Sequence, residues 1–138
     1  MTVAREHLGG AVSGNAFYVL AGRAAGAGNL TVAERYVPSR NRWERLPDMT
    51  KSRGGTAAAA LSDGRIVIAG GEEAAGTIRE VELYDPRRRT WSALPDMPTP
   101  RHGLGVVARG RRVFTIQGGP QPGFHFSDAL EALTVPPG

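Results

Sequence analysis

The sequence predicts an all-β fold assembled from repeated four-stranded antiparallel units. Three observations carry that prediction. Nineteen glycines and ten prolines are spread through 138 residues, too densely for a helical bundle and as expected of short strands joined by many turns. No stretch resembles a long amphipathic helix. Finally, residues 43–50 read WERLPDMT and residues 91–98 read WSALPDMP, so the chain repeats itself at a fixed spacing.

Sliding the chain by 48 residues pairs Arg5 with Arg53, Gly22 with Gly70, Glu34 with Glu82, Tyr36 with Tyr84 and Trp43 with Trp91, with no gap. A second slide carries Arg53 to Arg101 and Gly70-Gly71 to Gly118-Gly119. One extra residue in the following loop then brings Glu82 onto Glu131. The units run approximately over 5–52, 53–100 and 101–138, two of them complete and the third not.

Within each unit four strand-like segments follow in order. The first is small and apolar (Gly9–Val12, Thr56–Leu61, Leu104–Ala108), which suits the crowded inner strand of a radial arrangement. The second is β-branched or aromatic (Ala16–Leu20, Arg65–Ala69, Val113–Gln117). In the middle unit it follows Ser62-Asp63-Gly64, a hairpin signal. The glycines after it allow close backbone approach. The third segment places Glu and Tyr two positions apart, on one face: Glu34 with Tyr36, and Glu82 with Tyr84. In the last unit it is Leu130–Val135, with Leu133 where the Tyr is expected. The fourth segment carries Trp43 or Trp91 and ends at Leu-Pro-Asp-Met; the last unit stops before it. Four antiparallel strands with a glycine pair and an aromatic pair describe a propeller blade.

The middle unit reads Gly70-Gly71, then Glu82-Leu-Tyr84-Asp85-Pro86, Trp91 and Leu94-Pro95-Asp96-Met97. That pattern resembles the kelch repeat of bacterial β-propellers. The resemblance covers essentially the whole chain and implies about three kelch blades, a partial propeller. The first unit departs from the pattern at Arg23, in place of the second glycine, and at Val37, in place of Asp. A blade hides its sheet faces only against neighbouring blades, so Tyr36, Trp43, Tyr84 and Trp91 read as interblade packing. Two and three-quarter blades cannot close, and Met1 falls in register with Met49 and Met97. The expectation is therefore the C-terminal part of a larger propeller, completed by further blades or by a second copy.

Kelch propellers occur as copper radical oxidases, sialic-acid mutarotases and protein-binding modules. The copper class needs a Cys–Tyr cross-link, and this chain has no cysteine. The resemblance implies a protein-interaction or ligand-binding module without catalysis; a sugar mutarotase or epimerase is the alternative. His7, His102 and His125 lie at different repeat offsets, without metal-ligand spacing, so neither a metal nor another cofactor is expected. Gly22, Gly26 and Gly28 suggest a phosphate loop, but a strand rather than a helix follows. No run of about 18 apolar residues occurs, and no basic-then-apolar export signal opens the sequence.

The net charge is +4, carried almost wholly by arginine. Arg40, Arg42, Arg87, Arg88, Arg89, Arg109, Arg111 and Arg112 fall on loops joining strands one to two or three to four. Those loops share one end of the blades, which should be a basic face fit for an acidic protein or anionic surface. Interleaved aromatics for base stacking are lacking, which argues against nucleic acid. Arg5, Arg53 and Arg101 recur instead on the loops between blades, with His102 beside the last, at the opposite channel mouth. By resemblance these contact a protein, an acidic peptide or a small anionic ligand. The alternative is a structural bridge to a carboxylate such as Glu34 or Glu82.

Overall fold

The computed structural model describes residues 1–138. Strands β1 (Gly9–Ser13), β2 (Ala16–Leu20), β3 (Ala33–Val37) and β4 (Arg42–Arg45) form one sheet in that spatial order. Strands β5 (Ala57–Ala60), β6 (Ile66–Ala69), β7 (Val81–Asp85) and β8 (Thr90–Leu94) form the second. Strands β9 (Gly105–Arg109), β10 (Arg112–Ile116) and β11 (Leu130–Thr134) form a third, which lacks a fourth strand. Every strand pairs antiparallel with its neighbour in sequence, so each sheet is a meander and a propeller blade. Two-residue ribbons, Arg23–Ala24 with Gly28–Asn29 and Glu72–Glu73 with Gly76–Thr77, decorate the loops between second and third strands.

The inner strands β1, β5 and β9 lie side by side. β5 consists of four alanines, and their small side chains allow that approach. Between the first two blades, Tyr18, Leu20, Leu46 and Met49 meet Ile66, Ile68 and Tyr84. Between the second and third, Val67, Val81, Leu83 and Met97 meet Leu104, Val106, Val113 and Val135. β6 feeds alternate residues to both cores, and all four of its residues are 0% exposed. Burial on both faces explains why it reads Ile-Val-Ile-Ala without polar alternation. The Leu-Pro-Asp-Met segments also serve the cores. Met49 and Met97 are buried, and their N–H groups donate to Thr31 and Arg79 carbonyls, tying the end of the fourth strand back to its own blade.

The glycine register differs from the gapless 48-residue pairing. Leu20 pairs with Ala33, Ala69 with Val81 and Ile116 with Leu130, so the turns after the second strands are Ala21-Gly22, Gly70-Gly71 and Gln117-Gly118. All six residues have positive φ. A Cβ on Gly22 would lie 2.7 Å from the Glu6 carbonyl oxygen, on Gly71 2.9 Å from that of Gly54, and on Gly118 2.6 Å from that of His102. Gly22, Gly71 and Gly118 are thus equivalent. The glycine missing from the first unit is replaced by Ala21, not Arg23, and the third unit carries Gln117 there. Physically, the middle unit's first hairpin, through Ser62-Asp63-Gly64, is one residue longer than the Gly14-Asn15 and Gly110-Arg111 turns. A shorter connection to β7 restores the register, and the gapless slide conceals both changes.

Candidate functional site

The recurring arginines sit where one blade hands the chain to the next. The Arg53 carbonyl accepts from Gly22 N–H at 2.9 Å, and its own N–H donates to the Leu30 carbonyl at 3.3 Å, both on the first blade. Its side chain enters the second blade, donating to the carbonyls of Gly70 at 3.0 Å and Glu80 at 2.8 Å and to the Glu82 carboxylate at 2.7 Å. Arg101 repeats the arrangement one blade on. Its carbonyl accepts from Gly71 N–H, and its guanidinium donates to Gln117 and Ala129 carbonyls, Thr115 Oγ1 and Glu131 at 2.7 Å. Arg5 donates to the carbonyls of Val19 and Val32 and to Glu34 at 2.8 Å. A loop threonine completes each carboxylate: the N–H groups of Thr2, Thr50 and Thr99 donate to Glu34, Glu82 and Glu131.

All three arginine side chains are 0% exposed. A charge so buried persists only when paired and hydrogen-bonded. Burial lowers the pKa of Arg5 and Arg53, and their glutamates partly restore it. Burial also pushes the Glu34 carboxyl up, but the Thr2 hydrogen bonds and Arg5 outweigh it and hold the group below the usual range. The expected presentation of Arg5, Arg53 and Arg101 to a ligand is corrected accordingly. Their guanidinium groups are enclosed and committed to Glu34, Glu82 and Glu131, the bridging arrangement.

At the same end, His102 meets residues that the repeat did not single out. Arg23 of the first blade forms an ion pair with Glu72 of the second, and His102 Nδ1 lies 3.6 Å from the same carboxylate. The amide of Asn29 donates to the Glu72 carbonyl at 2.7 Å, and His102 Nε2 lies 3.0 Å from the Gln121 carbonyl oxygen. Burial raises the Glu72 pKa, yet Arg23 and His102 bring it below the ordinary value. The network therefore joins all three blades at this end. His7 and His125 are exposed, and His125 lines a shallow pocket together with His102.

The opposite end carries a groove of about 750 Å³ between the first two blades, lined among others by Tyr18, Arg35, Arg40, Arg65, Arg87 and Arg88. Its three carboxylate side chains are each engaged. Glu44 accepts from Arg42 and Arg35, which hold its pKa at about 2. Asp63 accepts from Arg65, and Asp85 from Arg88. Arg40 is 64% exposed and 3.9 Å from Glu44, while Arg87 is exposed with no carboxylate partner for its side chain. Arg89, in the turn between β7 and β8, is exposed at this end, as are Arg109 at the end of β9 and Arg112 at the start of β10. Arg111 is the exception, half-buried and donating to the Val135 carbonyl at 2.8 Å.

The sequence model of the Kelch motif matches residues 4–50 and again residues 53–98. No curated protein matches the chain. No helix is long and apolar enough to cross a membrane.

Proposed function

The chain belongs to the kelch-repeat family, and from that premise we propose a non-catalytic interaction module whose arginine-rich groove docks an acidic protein segment. One observation carries this reading: every carboxylate side chain in the groove is already bound by an arginine, while Arg87 has no carboxylate partner and Arg40 only a long contact, 3.9 Å, to the Glu44 carboxylate that Arg35 and Arg42 already hold. Such a surface attracts anions at a distance, and its reach shrinks to roughly 8 Å at physiological ionic strength. Enclosure of Arg5, Arg53 and Arg101 further favours the groove over the recurring arginines as the place of contact.

The test is titration of a fluorescein-labelled hexaglutamate peptide against the protein and against Arg40→Glu/Arg87→Glu. The expected result is at least about tenfold weaker binding by the double variant, with the melting temperature nearly unchanged and wild-type binding weakening as salt rises. Equal binding by the two proteins would overturn the assignment.

A further inference from the structure

Charge in this molecule is sorted between the two ends of the blades. Arg5–Glu34, Arg53–Glu82, Arg101–Glu131 and Arg35–Glu44 cancel in pairs. The groove end carries nine arginines, Arg65 and the eight that the sequence places there, against only Asp63 and Asp85, an excess of seven positive charges. At the opposite end Arg23, Arg45, Lys51 and Arg79 stand against seven acids, an excess of three negative charges. The difference between the two excesses is the whole net charge of +4.

Four of the seven acids are occupied: Arg23 holds Glu72, Lys51 lies beside Glu73 and Glu80, and Arg45 holds Asp48. The other three, Glu6, Asp96 and Asp128, are exposed and have no arginine or lysine partner. They are distributed one to a blade, and so are free arginines at the other end. The first blade carries Arg40 above and Glu6 below, the second Arg87 and Asp96, the third Arg109 and Asp128. The strand order is the same in each sheet, so these separations point the same way. Strands of five residues set the two ends roughly 17 Å apart, twice the screening length of about 8 Å at physiological ionic strength. Within one molecule the two faces therefore barely neutralise each other. End-on contact with another copy brings opposite charges together.

We propose that the arginine end of one copy docks on the acidic end of a second copy, forming a head-to-tail stack. The proposal rests on the reading of the groove as an acid-binding surface and names its partner, the opposite face of this same chain. Such a contact joins two different surfaces, so each added copy leaves one arginine end and one acidic end free, and association continues beyond the dimer. Opposite potentials orient the encounter and exclude the end-to-end arrangements that bring like charges together.

The test is sedimentation of the full chain at about 10 mM and about 1 M salt, where screening lengths are roughly 30 Å and 3 Å. Concentration-dependent self-association is expected at low salt, at least about tenfold weaker at high salt. Arg40→Glu/Arg87→Glu and Asp96→Arg/Asp128→Arg should each lose about tenfold or more alone, and mixing them should restore a complex, because each retains one wild-type end. Restoration is a gain, which a folding defect cannot produce. A wild-type monomer at low salt, or variants that associate like the wild type or do not complement each other, would overturn the proposal. So would self-association that salt leaves unchanged, as packing of apolar surfaces gives. Hexaglutamate binding that depends on Arg40 and Arg87, in a protein that stays monomeric, would overturn the stack and leave the groove reading standing.

Discussion

The first and second blades carry the same Glu–Tyr–Trp set in the same cross-strand register, yet only the second has a neighbour on that face. Tyr36 lies 5.3 Å from Trp43 at 43°, and Tyr84 lies 4.9 Å from Trp91 at 42°, so the aromatic pair is set by cross-strand pairing within a blade. Burial is set elsewhere. Tyr84 is 1% exposed because Tyr18 and Leu46 of the first blade cover it, whereas Tyr36 remains half-buried beside an exposed Phe17. The Arg–Glu pairs behave in the opposite way. Arg5–Glu34 is as enclosed as Arg53–Glu82, with or without a sheet opposite. Charge pairing is thus a property of one blade and its leading loop, while aromatic burial is conferred by the next blade.

Substitutions can break that comparison at several scales. The largest effect expected is from Tyr84→Ala, about 3–5 kcal/mol of stability in a urea melt, against roughly 1 kcal/mol for Tyr36→Ala. Equal losses would mean that the pairing within a blade, not the neighbour, dominates. Glu82→Ala should cost about 3 kcal/mol and Glu34→Ala a comparable amount, because each strands a buried guanidinium. A much cheaper Glu34→Ala would show that the first blade's pair is solvated in solution.

Smaller effects follow from the turn after each second strand. Gly70→Ala should cost about 1–2 kcal/mol, because φ is +68° and the added Cβ would lie 2.5 Å from the Arg101 carbonyl oxygen. At the equivalent position Gln117→Gly should instead add roughly 0.5–1 kcal/mol by relieving a left-handed side-chain residue. Acidification adds a further check. The folded pKa values of Glu34 and Glu72 lie below their ordinary value, so their contribution is present above roughly pH 4.3 and is lost as pH falls through the folded values. Melting temperature should therefore drop below about pH 4.3, and Glu34→Gln should shallow that drop.

Much of this was legible in the sequence because blade packing repeats. The four-strand order, the kelch pattern and the clustering of Arg40, Arg42, Arg87 and Arg88 at one end follow from residue type and loop position alone. Other features escaped for definable reasons. The shift that makes Gly22 the partner of Gly71 was hidden by two length changes that cancel. Glu131 was aligned with Glu82 in the sequence but not named as the third bridging carboxylate, because its unit lacks the Tyr that marks Glu34 and Glu82. The Arg23–Glu72–His102 network escaped because Arg23 and Glu72 occupy the same place in successive blades with opposite charge, so a repeat comparison reads them as divergence. Arg111 was placed by its loop on the basic face, but the Val135 carbonyl draws it inward.

The most direct test is a double-mutant cycle across the first interblade seam, with Tyr18→Ala, Tyr84→Ala and both together, measured by urea unfolding. The rings lie 6.2 Å apart on different blades. Burial conferred by the neighbour predicts a coupling of about 0.5–1.5 kcal/mol between the two substitutions. Strictly additive losses would contradict the account, because Tyr84 would then owe its stabilisation to its own blade.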